Sequence, residues 1–328
     1  MKGITEHQLK EFSDFVNGHS FFYVAGHKEP DGDCISSCLG VRAILEKHEK
    51  QYQLLSAGPF KRNEIQEYKS LFSNEMDFLS EAERKETGLI IVDCSELSRL
   101  GEIDGDLENL DTFIIDHHKT SGCPESAKAI IEPESPAAAL LVQILYEKLC
   151  GKIDKKLAEE LFLGIMTDTG FFRFLSEKDS DALVLISHLI EAGANPKKTY
   201  DKINSGKPYS TRKLLGILLD HAELHLDGKL SLTYETMDDT HRFGQEGRDS
   251  DLLYQALLST KGVEAAAFIR QETENTCTAG FRSRDKVDVS SVAKKFGGGG
   301  HKNAAGVSCE GRLESLIPAI IKEFARIM

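Results

Sequence analysis

Short, nearly unbroken apolar runs alternate with helix-like stretches along the first half of the chain. FFYVA (21–25), YQLLS (52–56), LIIVD (89–93) and TFIID (112–116) lack the polar alternation of a half-wet strand. That pattern fits strands buried on both faces. Around them, SSCLGVRAILEKHEK, AAALLVQILYEKL and KLAEELFLGIMTDTG carry helical periodicity. Strand and helix in alternation predict an α/β fold built on a mostly parallel, doubly wound sheet. Ligands of such sheets gather at the carboxyl ends of the strands, where the strand order reverses. His27, Asp93 and Asp116 each fall at or just past the end of an apolar run, so separate segments deliver polar groups to one predicted edge.

The pattern changes after SHLIEAGANP. Residues 196–214 are polar and rich in turn formers, and read as a connection, helical in part, between a first domain over 1–195 and a second over 215–328. The strand-like KLSLTYET, VEAAAFIRQE and CTAGFRSR surround the helical LLYQALLST, which makes the second domain a smaller α/β unit. The run FGGGGH (296–301) reads as a binding loop, since glycines let a ligand approach the backbone closely.

Composition narrows the classes. Hydrophobic residues at 40% and charged residues at 28% of 328 positions are ordinary for a soluble globular chain. No apolar run reaches the length of a membrane helix, and the N-terminus lacks the plan of a signal peptide. Seven scattered cysteines without a CxxC pair point to a reducing cytoplasm and away from a thiolate zinc site. A net charge of −13 argues against gripping long or duplex nucleic acid, yet leaves room for a short phosphorylated ligand or for cations.

The stretch GHKEPDGD crowds His27, Asp31 and Asp33 together, and Asp93, Asp116, His117, His118 and Asp168 fall at further strand or helix ends. One such triplet in a loop is more often solvated. Several in register with strand ends are hard to explain as surface decoration. Imidazole and carboxylate without thiolate suit Mn²⁺, with Mg²⁺ as the alternative, and two cations sharing one carboxylate would relieve the crowding.

These residues also carry a resemblance. GHKEPDGDCISS, LIIVDCSE, IIDHHKT and GIMTDTG resemble the four ordered motifs of the DHH phosphoesterases, and GFRSRDKVDVSSVAKKFGGGGHKNAAG resembles the DHHA1 domain that follows them. Within that superfamily the chain is similar to the bacterial oligoribonuclease and pAp-phosphatase (nanoRNase) type. The resemblance implies two divalent ions, most readily Mn²⁺. His27 and Asp31 would hold one, Asp33, His117 and Asp168 the other, and Asp93 would bridge them. Asp116 would orient a histidine and His118 would face the substrate phosphate. In the second domain, set across an active-site cleft, Arg282 and Ser283, helped by Arg284, would contact phosphate, and Gly298, Gly299, Gly300 and His301 would meet the ligand. The implied activity is hydrolysis of short single-stranded RNA or of 3′-phosphoadenosine 5′-phosphate (pAp) by activated water, in the cytoplasm and away from membranes; a homodimer is compatible with it. Linear-dinucleotide phosphodiesterase, inorganic pyrophosphatase or exopolyphosphatase activity on the same motifs, and a non-catalytic nucleotide sensor, stay open as alternatives.

Overall fold

The computed structural model describes every residue except 1, 2, 78, 120, 121, 124–126, 245–247 and 285. Thr120 of IIDHHKT and Asp285 of the second-domain stretch therefore lie outside the described residues. The chain forms two compact units, Met1–Gly206 and Lys207–Met328.

The described residues of the first unit form five strands: β1 (Phe21–Gly26), β2 (Gln51–Leu55), β3 (Thr87–Val92), β4 (Asp111–Asp116) and β5 (Lys128–Ile131). All pairings are parallel, in the order β2-β1-β3-β4-β5. Alternate residues feed opposite faces. Val24, Ile90, Val92, Phe113 and Ile115 join one core cluster, while Tyr23, Ala25, Leu89, Ile91 and Ile114 join another. Burial on both faces is why the strands read as continuous apolar runs. The short β5, with a single fully buried residue, left no such signal. From β1 the chain steps outward to β2 and returns to β3 on the other side of β1, so the order switches between β1 and β3.

The helix Gly32–Lys47 is buried on nearly every side, lying between the sheet and the helices Ala138–Leu149 and Lys155–Asp168. The polar segment 196–214, expected as a partly helical connection, is largely helical. Asn195 caps the helix Pro196–Asn204 by accepting from the Lys198 amide, and Pro196 sits at its first turn, where a missing N–H costs nothing. A second helix, Tyr209–Asp220, already belongs to the other unit.

The second unit has strands β6 (Glu223–His225), β7 (Leu230–Glu235), β8 (Ala265–Thr273), β9 (Thr276–Ser283), β10 (Gly299–His301) and β11 (Ala304–Glu310). Their order is β10-β11-β9-β8-β7-β6, antiparallel apart from the β7–β8 pair. One face packs Cys277, Ala279 and Phe281 against the helices Val289–Lys295 and Leu313–Phe324. The other packs Ala266 and Phe268 against Tyr209–Asp220 and Ser250–Ser259. The glycine run expected as a loop is in part the edge strand β10. Glycine's missing side chain lets Gly298 and Gly300 approach the β11 backbone, where a Cβ would meet the Gly306 and Ala304 carbonyl oxygens at 2.3 and 2.5 Å.

Candidate functional site

The strand-end groups of the first unit converge. His27 follows β1, Asp93 follows β3, and Asp116, His117 and His118 end and follow β4, so the cluster sits at the switch in strand order. Asp93 has a left-handed backbone (φ +57°), sparsely populated for a residue with a Cβ. Its amide still donates to the Ile115 carbonyl at 2.9 Å, so β4 holds the turned residue in place.

That turn gives Asp93 two different partners. Its Oδ2 lies 3.4 Å from His27 Nε2, and its Oδ1 lies 3.4 Å from His117 Nε2. Asp31 Oδ1 joins the first set at 3.8 Å from His27 Nε2. Asp168 Oδ2 and Asp33 Oδ2 join the second, 3.2 and 3.7 Å from His117 Nε2. Both imidazoles are turned by main-chain carbonyls. His27 Nδ1 meets Lys28 O at 2.9 Å and His117 Nδ1 meets Ser135 O at 3.1 Å, which aims each Nε2 inward.

The electrostatics are those of a cation site. Burial alone would depress the two imidazoles, but Asp31 and Asp93 raise His27 to about 12, and Asp168 and Asp93 raise His117 to about 11. Burial likewise opposes ionisation of Asp31, yet its bond to His27 holds it down at about 2. Asp33 is fully buried, and burial with Asp93 and Asp168 beside it pushes its carboxyl well up. Asp93 Oδ1 and His117 Nε2 are buried with no hydrogen-bond partner. Orphaned, facing donors of this kind fit a divalent cation, whose binding displaces the imidazole protons.

Helix packing sets the second group. Asp33 occupies the first turn of Gly32–Lys47 and Asp168 the last residue of Lys155–Asp168. These helices approach so closely that a Cβ on Gly32 would stand 2.4 Å from Thr167 Oγ1, and one on Gly164 2.6 Å from Ser36 Cβ. A buried ion pair, Arg42 to both oxygens of Glu160 at 3.0 and 3.2 Å, fixes their register. Asp33 also accepts from the Ala138 and Ala139 amides at 2.6 and 2.8 Å. The helix Ala138–Leu149 has no side-chain cap of its own, with Ala137 at that position, and Asp33 supplies it from 105 residues away.

Asp116 faces His118 and Ser95. Its Oδ1 accepts the His118 Nδ1–H at 2.8 Å and the His118 amide at 3.0 Å, and its Oδ2 accepts from Ser95. Burial would raise this carboxyl, but those bonds outweigh it and hold it low, hence ionised. The His118 side chain is 40% exposed, with Nε2 left for a ligand. Sequence reasoning passed over Ser95, although it lies two residues after Asp93 in the quoted LIIVDCSE. The Ser135 carbonyl carries no sequence signal at all. Cys34 Sγ lies within 4.8 Å of the His27 and Asp93 ligand atoms, but its hydrogen bond with Cys38 and its burial push the thiol well up and keep it neutral.

In the second unit, pairing of Arg282 with Ala304 and of Ala304 with His301 lines these residues across β9, β11 and β10 on one face. Only a methyl group separates the guanidinium row position from the imidazole. Gly299, paired with Gly306, continues the same face as bare, exposed backbone with open space where a Gly299 side chain would be. Ser283 does not share that face. It is buried, and its hydroxyl donates to the Val287 carbonyl at 2.6 Å. Arg284 donates to the Leu258 carbonyl at the end of Ser250–Ser259.

Residues 22–165 match the model of the DHH family, N-terminal domain, and residues 230–328 match that of the DHHA1 domain. The bifunctional oligoribonuclease and PAP phosphatase NrnA of Thermus thermophilus is 28% identical, over 93% of this chain and 90% of its own. The cyclic-di-AMP phosphodiesterase GdpP of Bacillus subtilis is also 28% identical, over 98% of this chain but only 50% of its own. A crystal structure of an exopolyphosphatase-related protein from Bacteroides fragilis superposes with a TM-score of 0.83 at 24% identity, covering 99% of this chain and 98% of that one. With both domain models matched in order over a cluster of this kind, the chain belongs to the DHH family of phosphoesterases and carries its DHHA1 domain.

Proposed function

We propose that this chain hydrolyses short oligoribonucleotides and pAp with the help of two divalent cations. The observation that carries the reading is Asp93, whose two oxygens face different imidazole–carboxylate sets. His27, Asp31 and Asp93 Oδ2 would hold one ion; Asp33, His117, Asp168 and Asp93 Oδ1 would hold the other. Divalent ions so placed lower the pKa of a water towards ~7 and offset charge on phosphoryl oxygens. The protein's own groups do the rest. Asp116 accepts the His118 Nδ1–H and so keeps the ring oriented; in the imidazolium form, with a proton on each nitrogen, Nε2 would donate to a phosphoryl oxygen as charge develops there. Arg282 suits a phosphate because its guanidinium forks onto two oxygens, and His301 and the bare Gly299 backbone leave a flat place for the rest of a nucleotide.

The relatives support this substrate class, since the T. thermophilus protein matched along nearly its whole length is named for both activities. A substrate panel tests it: pAp, RNA of graded length, linear and cyclic di-AMP, and pyrophosphate, each with Mn²⁺, with Mg²⁺ and with EDTA. The expected result is turnover of pAp and of RNAs of a few nucleotides that EDTA abolishes and Mn²⁺ restores. Turnover of pyrophosphate or cyclic di-AMP alone would replace the reading, and full activity in EDTA would remove it.

A further inference from the structure

Arg282 is held in an unusual way for a charged residue on a sheet. Its guanidinium carbon lies 4.8 Å from the centroid of the Tyr254 ring. Among the described residues its one hydrogen bond is from Nη1 to the carbonyl of Phe281, the preceding residue, at 3.1 Å. Among the described residues, no carboxylate lies within ion-pair range of it.

Several neighbours make room for that contact. The residues paired directly with Arg282 on either side are Ala266 and Ala304, so no long side chain competes for the guanidinium. Gly280, two residues earlier on the same face, lies under the Tyr254 hydroxyl, and a Cβ there would stand 2.2 Å from it. The ring itself is anchored. Tyr254 is 7% exposed, packs among Leu214, Leu218, Leu253 and Leu257, and meets Phe268 edge-on at 6.4 Å and 72°.

We propose that Tyr254 is a positioning residue for Arg282, holding the guanidinium by its face so that its edge is free for a phosphate of the substrate. This rests on the ligand role given to Arg282 above. The physical reason is geometric. A carboxylate partner would occupy the in-plane N–H donors, which are the same donors a phosphate needs, whereas a ring uses only the π face. A long side chain already immobilised on the ring also loses less freedom when the ligand arrives, so the gain appears as affinity. Burial pushes the Tyr254 hydroxyl up to about 12, so the ring stays neutral and does not become a competing anion.

The test is steady-state kinetics of the full chain with Mn²⁺, using pAp and a two-nucleotide RNA as probes, on Y254F, Y254L, R282A and the Y254L/R282A double variant. Y254F keeps the aromatic face, so its KM stays within about twofold of the parent. Y254L keeps bulk but removes the face, so KM rises about tenfold while kcat and the melting temperature hold. Added to R282A, the same Y254L change moves KM by less than about twofold, because the two residues act as one unit. If Y254L proves unstable, G280A supplies the second probe: it forces the ring off the sheet and should raise KM in the parent but not in R282A. An equal KM penalty from Y254L with and without Arg282, no penalty at all, or a Y254F penalty matching that of Y254L would each overturn the proposal while leaving the ligand role of Arg282 standing. An R282A variant with unchanged KM would overturn that role, and this inference with it.

Discussion

At the scale of single residues, the cluster turns on Asp93, because each of its oxygens serves a different imidazole. Asp93→Ala should reduce bound metal, measured by elemental analysis after loading and desalting, to background, and turnover with it. Two retained equivalents with full turnover would show that Asp93 does not bridge. Asp116 makes the opposite prediction. It touches His118 and Ser95 and none of the inward-facing Nε2 atoms, so Asp116→Asn should leave metal content at the parent level while kcat falls by roughly 100-fold or more, the scale of one acid–base group. Loss of metal in that variant would make Asp116 a ligand.

Between elements, the same carboxylate can serve packing and chemistry together. Asp33 caps the helix Ala138–Leu149 through the Ala138 and Ala139 amides while facing His117. Asp33→Ala, unfolded by urea with EDTA throughout, should lose stability by about 1 kcal/mol or more, the worth of an N-cap. Asp33→Asn still offers one acceptor oxygen, so it should lose less stability yet bind metal as poorly as the alanine variant. Equal stability loss in both would mean that the cap needs the charge. The helix contact at Gly164 makes a related prediction. A methyl group there meets Ser36 at 2.6 Å, so Gly164→Ala should cost about 1–3 kcal/mol by overpacking. It should also weaken metal binding, because it separates the helices that carry Asp33 and Asp168. Unchanged metal affinity at lowered stability would uncouple the helix spacing from the site.

For the whole molecule, charge sets what the site can use. The chain carries a net −13, and the side chains proposed for the ligand in the second unit are few: the Arg282 cation, with the His301 ring on the same face. A long polyanion would gain little from so few contacts and be repelled elsewhere. At matched concentration of ends, RNAs of about two to five nucleotides should therefore be cleaved far faster than a long single strand or a duplex. Equal rates, followed by gel electrophoresis across a length series, would contradict the assignment. Each unit also has its own core, with Phe113 and Ile115 in one and Phe281 and Phe324 in the other. No helix of the described residues is long and apolar enough to cross a membrane.

The sequence by itself determined the parallel sheet, because strands buried on both faces must be apolar at every position, and that is visible one residue at a time. It also determined which groups stand at the strand ends: His27, Asp93, Asp116 and His117 are neighbours of apolar runs along the chain. What it left open were relations between segments far apart in sequence. Whether Asp93 faces one imidazole or two depends on a left-handed turn pinned by Ile115. The cap that Asp33 gives a helix 105 residues away follows from how those helices pack. Ser283 and Arg282 are adjacent in the chain, yet a strand's two-residue period sends them to opposite faces, and only the pairing with β11 shows that His301 shares the face of Arg282. How much of the 196–214 connection is helical was open in the sequence, because polar helices on a surface carry little apolar period, and tertiary packing decided it. Tyr254 lay in an unremarkable helix, and only folding brought its ring beneath Arg282, since a side chain's partner across an interface is set by packing and not by local pattern.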